Sequence, residues 1–129
     1  MQYVRKLPKG FGLNAQIEGD IVSGQNTLLV EDLTTDGGSK ITFCKVLRES
    51  GAVVNHTIVI FYYDIFPETR SILDTHDITL HSLATWNDIL RICKKNNYFD
   101  KKVLAEVEAF LDSPLQWSGK NGGVNKISN

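Results

Sequence analysis

Apolar residues along this chain recur with two different periods, and the alternation between them predicts the architecture. Thr27 to Leu33 is an almost continuous apolar run with Glu31 and Asp32 near its end. A run of that length is expected of a parallel strand covered on both faces. Gly37-Gly38-Ser39 then opens a segment in which Ile41, Cys44, Leu47 and Arg48 return at helical spacing, and Gly51 closes it as a C-cap. The unit is strand, glycine-rich turn, helix. A second apolar run over Asn55 to Asp64 predicts another strand, followed by a short helix over 67–73 and a third strand over 78–83. Thr85-Trp86-Asn87-Asp88 has the form of a capping box before a helix carrying Ile89, Leu90, Ile92 and Cys93. The stripe Val103, Leu104, Val107, Phe110 and Leu111 predicts a last helix from about 101 to 111. Strands alternating with helices mean an α/β fold, an open and mostly parallel sheet with flanking helices.

The two ends read differently. Residues 3–12 combine Arg5, Lys6 and Lys9 with Pro8, Gly10 and Gly12, which predicts a mobile basic loop. Asn14 to Ile21 reads as a short extended pair around Glu18-Gly19-Asp20. The segment after Pro114 is rich in Gly, Ser and Asn, so the domain is expected over 1–112 and a flexible tail over 113–129.

Composition narrows the function classes. With 129 residues, 42% of them hydrophobic, the chain is long enough for one core without disulfides or a structural metal. Fourteen basic against 15 acidic side chains leave a formal net charge of -1, which gives no field to recruit nucleic acid or an anionic membrane. Any anion must therefore be held by a local arrangement. No apolar stretch has the length of a membrane span and no secretory signal is visible, while Cys44 and Cys93 lack any CxxC or metal-ligand spacing. Buried free thiols in a reducing, cytoplasmic setting are expected. His56, His76 and His81 read as structural or surface residues, and Phe61, Tyr62, Tyr63 and Trp86 as core or interface.

Candidate chemistry concentrates at the carboxyl end of the first long strand, where ligands bind in open α/β sheets. Gly37 and Gly38 allow close backbone approach. The N–H groups of residues 36–39, with the hydroxyls of Thr35 and Ser39, would cradle a phosphate at the start of the helix. Glu31 and Asp32 stand one step away and would repel a phosphate unless they face another part of the ligand. A sugar phosphate satisfies both demands.

An apolar strand followed by Glu31-Asp32-x-x-Thr35-x-Gly37-Gly38-Ser39 resembles the phosphoribosyl pyrophosphate signature of the type I phosphoribosyltransferases. The basic loop, with Asn14-Ala15-Gln16-Ile17-Glu18-Gly19 after it, is most similar to the orotate phosphoribosyltransferases. The resemblance runs from about Tyr3 to Leu90. It implies transfer of phosphoribosyl from phosphoribosyl pyrophosphate to orotate, giving orotidine 5-phosphate and pyrophosphate. In that family pattern Glu31 and Asp32 hold the ribose hydroxyls and face the cationic transition state, and Leu33, Thr34 and Asp36 lie along the bound substrate. Thr35, Gly37, Gly38 and Ser39 hold the 5-phosphate, with Thr35 also near the base. Arg5, Lys6 and Lys9 close over the leaving pyrophosphate, Lys6 and Lys9 as catalytic cations. Mg²⁺ is implied, carried mainly through the substrate rather than by direct protein ligands. The family's loop reaches a neighbouring subunit, which implies a homodimer.

The departures are specific. Phe11 stands where the family's loop has a histidine, and Asp36 replaces a small or hydroxylated residue inside the phosphate loop. Ile65 follows Asp64 where the family often has an arginine for the orotate carboxylate. The family's N-terminal half is missing before Tyr3, so a complementing N-terminal half is an expected partner, and a truncated, inactive or regulatory phosphoribosyl pyrophosphate-binding module is the alternative. A response-regulator receiver is a weaker rival, because Asp32 and Asp64 stand too close in sequence for that fold and Gly37-Gly38-Ser39 has no role in it.

Overall fold

A computed structural model gives the architecture and describes residues 1–5, 7 and 16–124. Strand β1 (Tyr3–Val4) pairs antiparallel with β2 (Ile17–Glu18). The main sheet holds β3 (Asn26–Thr34), β4 (Val53–Tyr62) and β5 (Thr79–Thr85), all parallel, in the order β3-β4-β5. Helices α1 (Gly38–Glu49) and α2 (Glu68–Thr75) connect them, and α3 (Trp86–Asn96), α4 (Lys101–Asp112) and α5 (Pro114–Lys120) follow. Among the described residues no helix is long and apolar enough to cross a membrane.

Successive residues on a strand point to opposite faces, and the register sorts the sheet accordingly. Leu29, Thr57 and Leu80 are aligned on one face, which is buried together with Val54, Val59 and the α1 residues Phe43, Cys44 and Leu47. Each large aliphatic side chain there contributes about 1.5–3 kcal/mol by burial. The other face is open: Leu28 is 51%, Val30 65%, Ile60 61% and Leu83 72% exposed. This corrects the expectation that β3 is covered on both sides. The apolar run is real, but among the described residues β3 is an edge strand paired to β4 alone.

Local rules explain most element ends. Helix α1 stops in a Schellman turn, with Gly51 in the left-handed region at φ 93, its N–H bonded to the Arg48 carbonyl and the Ala52 N–H to the Leu47 carbonyl. Arg48 then ties three elements together, donating to the carbonyls of Val54 at 2.7 Å, His76 at 2.8 Å and Asp77 at 3.0 Å. The capping box before α3 is present: the Asp88 N–H donates to Thr85 Oγ1 and the Thr85 N–H to Asp88 Oδ2. The Thr85 hydroxyl, donating to Asp88 Oδ2 at 2.8 Å, holds the Asp88 carboxyl below its ordinary range, helped by Arg91 and by the Thr85 N–H.

Two further corrections concern the ends. The expected pairing within 14–21 is replaced by pairing of Ile17 with Val4, so the basic segment lies between two strands whose Val4 and Ile17 side chains pack on the core. The flexible tail expected from residue 113 is helical over Pro114–Lys120. Pro114 at the start favours a helix rather than ending one. Trp117 then anchors α5 by donating from Nε1 to Glu106 at 3.1 Å and by meeting Phe110 edge to face at 5.5 Å.

Candidate functional site

The carboxyl end of β3 and the first turn of α1 build the candidate site. Alternation along β3 separates its two acids: Glu31 lies on the α1 side with Leu29, whereas Asp32 is exposed on the side of Val30. Adjacent in sequence, they face different surroundings. Asp32 accepts the Leu33 N–H on Oδ1 at 2.7 Å and keeps its other oxygen for a ligand.

Glu31 is paired to Lys40, whose side chain is buried beneath the loop. The same ammonium donates to the Leu33 carbonyl at 3.0 Å and to Ser39 Oγ at 3.1 Å. An ammonium has three protons to place; two go to the loop between residues 33 and 39, and the charge is balanced by Glu31. Breaking such a buried pair costs about 3–5 kcal/mol, because the remaining charge is left alone. Sequence analysis passed over Lys40, since a lysine in the first turn of a helix is ordinarily solvated. Its visible signal was a place out of phase with the polar face, between the glycine turn and Ile41.

The loop between strand and helix is held from several sides. The Thr34 carbonyl accepts the Tyr63 N–H at 3.0 Å, which fixes the loop to the end of β4, and Thr34 itself is buried. Gly37 sits at φ 81, and a Cβ there would lie 3.2 Å from three atoms of Leu73 on α2. Both the backbone angle and the close approach require glycine. Thr35 is half-buried and Ser39 keeps its hydroxyl proton free to donate, since Oγ only accepts from Lys40.

One expected donor is engaged. Asp36 does not point away from the cradle: its Oδ1 accepts the Gly38 N–H at 3.0 Å. The carboxylate thus occupies a cradle donor itself, which corrects the picture of free N–H groups throughout 36–39.

Of the remaining candidates, Arg5 is placed on the β1–β2 pair, where it forms an ion pair with Glu18 and its N–H donates to the Gln16 carbonyl at 2.7 Å. Lys6, Lys9 and Phe11 lie outside the described residues. Ile65 is buried and Asp64, at φ 54, lies 3.9 Å from Arg70. His56 and His81, remote in sequence, meet on the open sheet face with Nδ1 and Nε2 3.1 Å apart. Phe61, Tyr63 and Trp86, each half-buried, form an edge-to-face trio with centroids 5.4 to 5.9 Å apart. Among the described residues no three His, Cys, Asp or Glu side chains converge as a metal site. Both cysteines are buried free thiols, and burial pushes the Cys44 thiol above its ordinary range while Arg48 pulls it down.

No family model matches the chain. It is 56% identical over 121 residues to an orotate phosphoribosyltransferase of Roseobacter denitrificans, covering 94% of this chain and 54% of that protein. An orotate phosphoribosyltransferase of Sinorhizobium medicae is 52% identical over 128 residues, 99% of this chain and 55% of its own length. The chain therefore spans about half the length of these relatives. Among solved structures it superposes on orotate phosphoribosyltransferase from Aeropyrum pernix with a TM-score of 0.58 at 29% identity, covering 77% of this chain and 52% of that one. Leishmania donovani UMP synthase shares the fold with a TM-score of 0.71 at 24% identity, over 85% of this chain and 23% of that one.

Proposed function

We propose that this chain, similar over nearly all its length to about half the length of orotate phosphoribosyltransferases, is a portion of a type I phosphoribosyltransferase that binds phosphoribosyl pyrophosphate and takes part in phosphoribosyl transfer to orotate. The observation that carries this is the joint placement, in one loop, of an exposed Asp32 and a glycine-built cradle running from Thr35 to Ser39. Asp32 would meet the ribose hydroxyls, where a carboxylate also stabilises positive charge developing at the anomeric carbon. Thr35, Gly37 and Ser39 would hold the 5-phosphate with hydroxyl and backbone donors at the start of α1. Glu31 acts from behind the loop. Arg5, Lys6 and Lys9 would neutralise the departing pyrophosphate.

Mg²⁺ fits this donor set as a companion of the substrate. The free carboxylate oxygen of Asp32 offers one hard ligand, and Mg²⁺ keeps most of its waters and binds substrate phosphates. It would supply charge neutralisation on the pyrophosphate. The compartment proposed for this chemistry is the cytoplasm, which suits two unbridged thiols.

The open edge of β3 and the exposed face around Val30 and Ile60 call for a covering element, because parallel sheets are buried on both faces. A complementing N-terminal half is the proposed partner for that surface, and a homodimer the proposed assembly. The same open surface favours a second reading, in which this chain alone binds ligand without turnover.

Calorimetric titration with phosphoribosyl pyrophosphate and Mg²⁺ tests the site. An orotidylate assay of the chain, with and without the N-terminal half of a relative added in trans, tests the activity. Heat on titration with turnover only after addition supports both proposals. An absence of heat removes the site assignment, and binding without turnover under either condition leaves a binding module.

A further inference from the structure

Lys40 takes no part in contacts with the proposed substrate, yet among the described residues it is the Lys, Arg, Asp or Glu that is fully buried. Its ammonium donates to the Leu33 carbonyl and the Ser39 hydroxyl and is ion-paired with the Glu31 carboxylate. These partners span the beginning, middle and end of the phosphate loop. The loop also carries more negative than positive charge, with Glu31, Asp32 and Asp36 against Lys40 alone. A phosphate arriving at the start of α1 meets that charge before it meets the donors.

We infer that Lys40 is a positioning residue for the phosphate loop. Its ammonium cancels the Glu31 charge from beneath and ties Glu31, Leu33 and Ser39 into the shape that accepts a sugar phosphate. Because Ser39 Oγ accepts from Lys40, its own proton is directed outward, toward the ligand. Because Glu31 is neutralised where it lies, Asp32 is left as the acid that addresses the sugar. The inference rests on the phosphoribosyl reading of the site and assigns it a supporting group that touches no substrate atom.

The surroundings of Glu31 restrict what else could titrate with it. Helix α1 contributes Lys40, Cys44 and Arg48, with the Cys44 thiol responding to all of these charges. Strand β4 presents the neutral Thr57 and Val59 to that face, β3 contributes Asp32, and the loop contributes Asp36. Lys40 is the cation in contact with the Glu31 carboxylate.

The test is calorimetric titration of the full chain with ribose 5-phosphate between pH 5.5 and 8. The proteins are wild type, Lys40→Met and the charge-balanced double variant Glu31→Gln/Lys40→Met. The double variant leaves no unpaired buried charge, so it keeps the fold even where the single variant does not; its circular dichroism and Tm are recorded alongside. Its affinity is expected to fall about tenfold through the lost ties, an effect the size of one charge-assisted hydrogen bond. Lys40→Met is expected to bind more weakly than the double variant at each pH, because it leaves the Glu31 charge unbalanced beside the phosphate; restoration of affinity on removing Glu31 as well is a result that a merely structural role for Lys40 would not produce. A folded double variant that binds with the wild-type constant overturns the positioning role. A wild-type chain that binds no ribose 5-phosphate at any pH instead removes the phosphoribosyl reading on which the inference stands.

Discussion

Asp36 Oδ1 accepts the Gly38 N–H at 3.0 Å, so the turn from β3 into α1 carries its own carboxylate on one of the backbone donors at the helix start. The contact closes a two-residue turn of the kind Asp and Asn make with their own backbone, and it satisfies a helix N-terminal donor in the absence of ligand. It also sets an anionic competitor beside the proposed 5-phosphate position.

Replacing Asp36→Asn keeps an oxygen for the Gly38 N–H and removes the charge. Ribose 5-phosphate affinity is expected to rise about two- to fivefold, the effect of one charge near a helix N-terminus, with Tm little changed. Titration calorimetry checks this. Weaker binding in the Asn variant would mean that the carboxylate serves the ligand rather than opposing it.

Gly37→Ala places a Cβ where the backbone is left-handed at φ 81 and where Leu73 approaches to 3.2 Å. A loss of about 1–3 kcal/mol is expected from the strained backbone and the contact. Urea unfolding followed by circular dichroism measures it. Ribose 5-phosphate binding should fall as well, since the strain and the cradle share one residue; a variant as stable as wild type would contradict the tight fit of α2 against the loop.

The open sheet face leads to an association prediction. Val30 and Ile60 are 65% and 61% exposed on a parallel sheet with a free edge at β3, and such surfaces pair with whatever strand or apolar face they meet. The isolated chain should sediment as a concentration-dependent oligomer. Val30→Lys/Ile60→Lys should shift it to monomer while changing stability by less than about 0.5 kcal/mol per site, as exposed substitutions do. A wild-type chain that stays monomeric at high concentration would count against an exposed docking face.

Alkaline pH should weaken the fold through Cys44. Its thiol is raised by burial, so the folded state favours the protonated form. Below about pH 8.5, where an unfolded thiol is also protonated, this preference is fully present. Above that, the unfolded chain ionises first, and stability is lost as pH rises until the folded thiol titrates too. Tyr62, raised by its own burial, acts in the same direction at higher pH. Tm measured from pH 7 to 10.5 should decline, and iodoacetamide at pH 8.5 should modify Cys44 in urea far faster than in the folded chain. Equal rates would show that the thiol is not buried.

Local order decided what could be read without coordinates. The apolar runs at 27–33 and 55–64 became β3 and β4, the glycine turn and the stripe through Cys44 and Leu47 became α1, and Thr85 with Asp88 became a capping box, because each depends on residues a few positions apart. The run from Glu31 to Ser39 is equally local, and it makes the end of β3 and the turn into α1. Pro114 was misread since the Gly, Ser and Asn residues beyond it outweighed one helix-start signal, while the contact that anchors α5, Trp117 on Phe110 and Glu106, joins two helices. The pairing of Val4 with Ile17 and of His56 with His81 likewise joins strands that no local pattern links. By itself the sequence determined the alternation of strands and helices and which residues make the turn from β3 into α1. Only the tertiary structure decided that Glu31 and Asp32 go to opposite sides, that Lys40 is drawn under the loop to meet Glu31, that Asp36 bonds Gly38, and that Val30 faces outward. The physical reason is that charge pairing and burial depend on distances across the fold, where a buried ammonium must find a counter-charge and acceptors and a strand's faces are set by what packs on them.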